Sequence, residues 1–178
     1  QQVLQQGPGA GSLGSALQPY LGSLVASRAV TATLPDGRQL TLQGWLPASP
    51  VATGRQANVL LEWRLAGATG SSTGNEWPPD LAAFVHLRHG GANLDQADGA
   101  PQWFGQPSKP FISPDQVTTI LNDWRQVTVP AEAELGEDWQ LVVGVYNPQT
   151  GERLPLSPAG QSGEANAAMD ELDLGSIR

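Results

Sequence analysis

Hydrophobic and polar positions alternate along much of this chain, with the two-residue period of a β-strand, whose successive side chains point to opposite faces. From Asn58 to Leu65, the residues Val59, Leu61, Trp63 and Leu65 share one face, while Asn58, Glu62 and Arg64 share the other. Leu81 to Arg88 repeats the pattern, with Leu81, Ala83, Val85 and Leu87 inward and Phe84, His86 and Arg88 on the solvent side. Trp139 to Tyr146 is the strongest such segment, setting Trp139, Leu141, Val143 and Val145 on one side. One dry and one wet face per strand marks an antiparallel sheet.

Turn chemistry separates these runs. Val30–Leu34 and Gln39–Gln43 flank Pro35-Asp36-Gly37-Arg38, where proline fixes φ and Asp-Gly supplies positive φ, so a hairpin is predicted. Strand character also marks Thr118–Leu121, Trp124–Val129, Glu152–Leu156 after the Asn147–Gly151 turn, and Glu171–Ile177. Gly90 to Pro114, punctuated by Asp98-Gly99 and four prolines, reads as loop, and Ala165–Asp170 as a short helical turn. Seven to eight short strands with turns between them predict an all-β, immunoglobulin-like antiparallel β-sandwich. No strand–helix alternation and no long repeat is present, which excludes doubly wound and solenoid folds.

The first 27 residues differ from the rest. They are rich in Gly and Gln, carry no charge before Arg28, and form an N-terminal extension (1–27) ahead of the sandwich (28–178). Apolar residues are too sparse there to hold the segment unaided, so it is expected to lie on its own domain, on a neighbouring copy or on a partner, as a candidate assembly arm. Leu17, Tyr20, Leu21 and Leu24 have the spacing to bind a partner by strand addition.

Composition narrows the possible jobs. Twenty-one glycines and 15 prolines in 178 residues rule out a helical bundle. A net charge of −8 makes nucleic acid a poor partner, because binding there rests on neutralising phosphates. No apolar run reaches the roughly 18–20 residues of a membrane span. Without cysteine there is no disulfide scaffold, thiolate metal site or cysteine nucleophile. One lysine (Lys109) beside many arginines, with abundant small polar residues, suits an extracytoplasmic, secreted or cell-surface protein.

Several segments in order carry a family likeness: Leu61-Glu62-Trp63-Arg64, Phe84-Val85-His86-Leu87, Gln96-Ala97-Asp98-Gly99-Ala100-Pro101, Trp124–Pro130, and Leu141 through Leu154. Together they resemble the immunoglobulin-like domains appended to polytopic membrane glycosyltransferase-like proteins of Chloroflexota. The resemblance spans roughly Arg28 to Ile177 and is most specific over Gly144–Leu154. It implies a sandwich outside the membrane that carries no chemistry of its own. This chain departs from the pattern in lacking membrane spans and in adding the Gln/Gly-rich front.

Candidate chemistry is thin. His86 and His89, with Asp95 and Asp98 nearby, are metal-ligand types, yet residues three apart on a strand face opposite ways. The acid pairs Asp95/Asp98, Glu132/Glu134 and Glu137/Asp138 lie in or beside turns, with no apolar wall to raise one pKa for glycosidic cleavage. No nucleophile elbow, phosphate loop or zinc-protease motif occurs. Trp63 and Trp139 read as core, whereas Trp77, Trp103 and Phe104 fall in loops and either fold back over their own sandwich edge or meet a sugar ring or another subunit. The expectation is a structural or assembly module, not an enzyme and without a cofactor. Its partners would be identical copies or a membrane complex; the alternative is a carbohydrate-binding module that uses the loop aromatics on a polysaccharide.

Overall fold

Two antiparallel sheets face each other in the computed structural model, which describes residues 24–26, 29–47, 52–68, 76–101, 111–112, 116–132, 139–159 and 169–175. The strands among them are β1 (Leu24–Ala26), β2 (Val30–Thr33), β3 (Gln39–Pro47), β4 (Gln56–Ala68), β5 (Ala82–His89), β6 (Ala92–Gln96), β7 (Phe111–Ile112), β8 (Gln116–Thr128), β9 (Trp139–Tyr146), β10 (Ser157–Pro158) and β11 (Leu172–Gly175). Three of these, β1, β7 and β10, are only two or three residues long, and together the strands build the sandwich that the alternation predicts. One sheet runs β10-β2-β3-β4-β8-β7, with β1 also on β3, and the other β11-β9-β5-β6. Its centre, β3-β4-β8-β7 over β11-β9-β5-β6, is the A-B-E-D over G-F-C-C′ arrangement of immunoglobulin-like domains.

Local chemistry explains the elements. The β2–β3 turn closes with Gly37 at φ +83° and the Leu34 N–H donating to Arg38 O at 2.8 Å. Asp36 braces it by accepting from the Arg38 N–H and from Arg38 Nε. Along β4 and β8 the pairing runs unbroken from Gln56↔Thr128 to Ala68↔Gln116, which makes this pair the spine of the larger sheet. Val59, Leu61, Trp63 and Leu65 of β4 meet Val85, Leu87, Leu141, Val143 and Val145 of the facing sheet in one core.

Three expectations need correction. The stretch read as loop after Gly90 begins with a strand, β6, hairpinned onto β5 through Gly90 and Gly91, both at positive φ (55° and 83°). The Gly-Gly pair was the available signal, since it fits a two-residue hairpin turn. Second, the two fragments expected at Thr118–Leu121 and Trp124–Val129 are one strand, β8. Third, Glu152–Leu156 forms only isolated bridges, Tyr146↔Arg153 and Leu156↔Met169. Of the proposed helical turn, residues 165–168 lie outside the described residues.

β8 reads as broken because two of its inward positions are charged. Thr119, Leu121, Asp123, Arg125, Val127 and Val129 share the buried face. Arg125 Nε donates to both carboxylate oxygens of Asp123 at 2.9 Å, and Trp63 Nε1 donates to Asp123 Oδ2 at 3.2 Å. The guanidinium then crosses to the chain that continues β6, where Nη1 donates to Ala97 O and Nη2 to Gly99 O and Ala100 O, all at 3.0–3.2 Å. Both side chains are almost wholly buried, at 1% and 0% exposure. The pair ties one sheet to the flank of the other.

Only Leu24–Ala26 of the arm lie among the described residues. Leu24↔Pro47, Val25↔Leu46 and Ala26↔Trp45 pair antiparallel, on the edge of β3 that β2 also occupies, one residue out of step with the β2 register. The sheet of this same chain therefore takes in the end of the segment read as extension.

Removing one partner of a buried, hydrogen-bonded ion pair strands the other. Arg125→Ala should lower the unfolding free energy by about 3–5 kcal/mol. The double variant Asp123→Leu/Arg125→Met, which leaves no orphan charge, should be less destabilised than Arg125→Ala in urea titrations.

Candidate functional site

The densest group of chemistry-bearing side chains sits on the outward face of the four-stranded sheet. Alternation along β5 sends Phe84, His86 and Arg88 outward, and β9 sends Tyr146, Gly144 and Val142 the same way, with Phe84 opposite Gly144 and His86 opposite Val142. The sequence predicts a wet face here, yet Phe84 and His86 are buried, at 2% and 7% exposure. They are covered by the chain that returns after β9 and by the approach to β11. The Arg153 guanidinium lies over the Phe84 ring, 4.8 Å from its centre. Gly144 makes room beneath: a methyl group there would stand 2.5 Å from Phe84 Cζ and 3.0 Å from Asp170 O.

Around this ring runs a continuous polar network. His86 Nε2 is 3.1 Å from Asp98 Oδ1, and its Nδ1 is 3.1 Å from Asn93 Nδ2. Arg88 Nε donates to Asn93 Oδ1 at 2.8 Å, and both Nη atoms of Arg88 donate to the Glu171 carboxylate. Arg153 Nη1 donates to Glu171 Oε2 at 2.8 Å, which returns the network to Phe84. Burial first, then the Asp98 carboxylate, pushes the Tyr146 phenol above its ordinary value. Phe84 also contacts the rings of His86 and Tyr146, at centroid distances of 4.6 and 6.0 Å.

Electrostatics differ at the two titratable ends. Burial lowers His86, Asp98 acts against it, and Arg88 and Arg153 lower it further, so the ring titrates below 6.5. Burial alone would raise Glu171, but the hydrogen bonds and charge of Arg88, then of Arg153, outweigh it and hold the carboxyl below 4.5.

The four metal-ligand types diverge. His86 and Asp98 meet, but His89 stacks on Trp139 at 4.8 Å, and Asp95 turns toward β8, where it accepts the Thr128 N–H. Among the described residues no three His, Asp or Glu side chains are placed to share an ion. Of the acid pairs, Glu132 is exposed, and Glu134, Glu137 and Asp138 lie outside the described residues.

The predicted partner and ligand residues fare unevenly. Trp77 lies in the core, edge-on to Trp63 at 5.0 Å, with its indole N–H donating to Leu81 O at 2.7 Å. So placed, it leaves little ring surface to meet a ligand. Trp103 and Phe104, like Leu17, Tyr20 and Leu21, lie outside the described residues, and Leu24 is in β1. Sequence reasoning missed Asn93, Arg153 and Glu171, which are far apart along the chain, and gave Tyr146 no polar role. Comparison with protein-family models, curated protein sequences and solved structures finds nothing that matches this chain.

Two substitutions probe the covered face. Gly144→Ala forces the Phe84 ring aside and should lower stability by about 1–3 kcal/mol, read from urea midpoints. Glu171 stabilises the fold fully above about 4.5 and progressively less as pH falls through its lower folded value. Glu171→Gln should therefore weaken the protein at pH 7 and make the loss of stability between pH 5 and pH 3 shallower than in the parent.

Proposed function

We propose that this chain is a non-catalytic, extracytoplasmic structural module that assembles through its N-terminal arm, residues 1–27. Its partners are other protein chains: identical copies in a surface filament or array, or the subunits of a membrane complex. The observation that carries this reading is β1. Its three residues sit on the edge of β3 in backbone register, Leu24↔Pro47 to Ala26↔Trp45. Main-chain pairing does not distinguish a chain's own arm from a neighbour's, and so short a strand is weakly held, which suits exchange between copies.

The side chains support the same reading. His86 bonds to Asp98 and Asn93, and Arg88 and Arg153 bond to Glu171, so these side chains brace strands. The exposed edge of β6 is blunted, because its register with β5 shifts between Leu87 and Arg88 and Asp95 turns its carboxylate to the β8 backbone. Such devices discourage strand addition at β6. The extracytoplasmic placement rests on the cysteine-free, lysine-poor composition and on the resemblance of Arg28–Ile177 to domains held outside the membrane.

Sedimentation velocity and electron microscopy of the full chain and of a chain lacking residues 1–27 test the reading. The full chain should form multimers and the truncated chain soluble monomers with β-sheet circular dichroism retained. Assembly unchanged by the deletion would overturn it.

A further inference from the structure

The outer network fixes the proton on His86. Asn93 Oδ1 is engaged as the acceptor of Arg88 Nε, so the Asn93 atom facing His86 is the amide nitrogen, a donor. The Nδ1 of His86 must therefore be an unprotonated acceptor, and the ring proton sits on Nε2, directed at Asp98. A second proton would make both ring nitrogens donors and set Nδ1–H against the amide of Asn93. Turning that amide over gives no relief, because its NH2 would then face the N–H of Arg88. Asp98 attracts the imidazolium, so the contact that fails is the one to β6.

We propose that His86 is a proton-operated latch on the edge strand β6, closed at neutral pH through Asn93 and opened by protonation of the ring. β6 is built to respond. It is five exposed or half-buried residues at the end of its sheet, and between its pairings Arg88↔Asn93 and Leu87↔Asp95 the extra residue is Leu94. That leucine, 45% exposed, is the one large exposed hydrophobic among the described residues. The charged and titratable groups around the ring come from each neighbouring element. They are Arg88 on β5, Asp98 after β6, Tyr146 on β9, Arg153 after β9 and Glu171 before β11. Burial and the two arginines oppose a second proton and Asp98 favours it; the balance keeps the latch shut near pH 7 and opens it only as pH falls below 6.5. Once open, the strand uncovers the β5 edge beside it. This goes beyond the assembly reading and does not depend on the arm.

Hydrogen exchange of the full chain tests it, with rates divided by their intrinsic pH dependence. Between pH 7.5 and pH 5, protection of the Ala92–Gln96 amides should fall roughly three- to tenfold, the scale of one hydrogen bond lost, while β4 and β8 hold. In His86→Gln, which cannot take up the proton, that fall should vanish. No fall in the parent, or an equal fall in the variant, would overturn the proposal. The nitrogen-15 spectrum of the parent ring gives a reading that needs no variant: the neutral tautomer with the proton on Nε2 at pH 7.5 upholds the latch, and the proton on Nδ1 overturns it.

Discussion

The bond from Arg125 to Asp123, sealed between the sheets, is the constraint on which this sandwich turns. An arginine so deep is tolerated only if its donors all find acceptors. Here they find a carboxylate on its own strand and three carbonyls on the opposite flank. Ala97 O and Gly99 O also accept the N–H groups of Val85 and Ala83, so the same oxygens serve the ladder of one sheet and the clamp from the other. A hydrophobic core alone fixes which faces meet. The guanidinium fixes how the flank of one sheet lies against the other, because its donors point along set directions.

The same pair marks the limit of what the sequence reveals. Where inward positions are aliphatic, as in β4 and β9, period-two reading places each residue on its proper face. Where they are Asp123 and Arg125, the pattern looks interrupted and one strand reads as two. β6 escapes for the opposite reason: Asn93, Leu94, Asp95 and Gln96 carry no β-branched or aromatic signal, and only the paired glycines before them announce the hairpin. The faces of β5 are legible but not their burial. That Phe84 and His86 are covered depends on Arg153 and Glu171, which no local pattern links to them. Trp77 shows a related effect, since a tryptophan between polar and proline residues reads as a loop aromatic until its indole finds Leu81 O and the edge of Trp63.

The covered outer face also changes what a small polar cluster means. Histidine, aspartate, tyrosine and arginine within reach of one another are the ingredients of many catalytic centres. In this molecule the histidine is held between aspartate and asparagine, and two arginines share one glutamate. The result spans β5, β6, β9 and the approach to β11, and its geometry braces strands from across the small sheet. Gly144 belongs to the same arrangement, because a bare backbone position lets an aromatic ring lie flat between a strand and a guanidinium.

Asp98 stands between Ala97 and Gly99, whose carbonyl oxygens are gripped from the interior by Arg125, while its own carboxylate meets His86 on the exterior. One tripeptide is thus shared by two networks on opposite sides of the sheet. Substitutions at the deep arginine and at the outer histidine would consequently show epistasis although the two side chains never touch. A chain that drifted at one of these sites would be steered in what it could accept at the other.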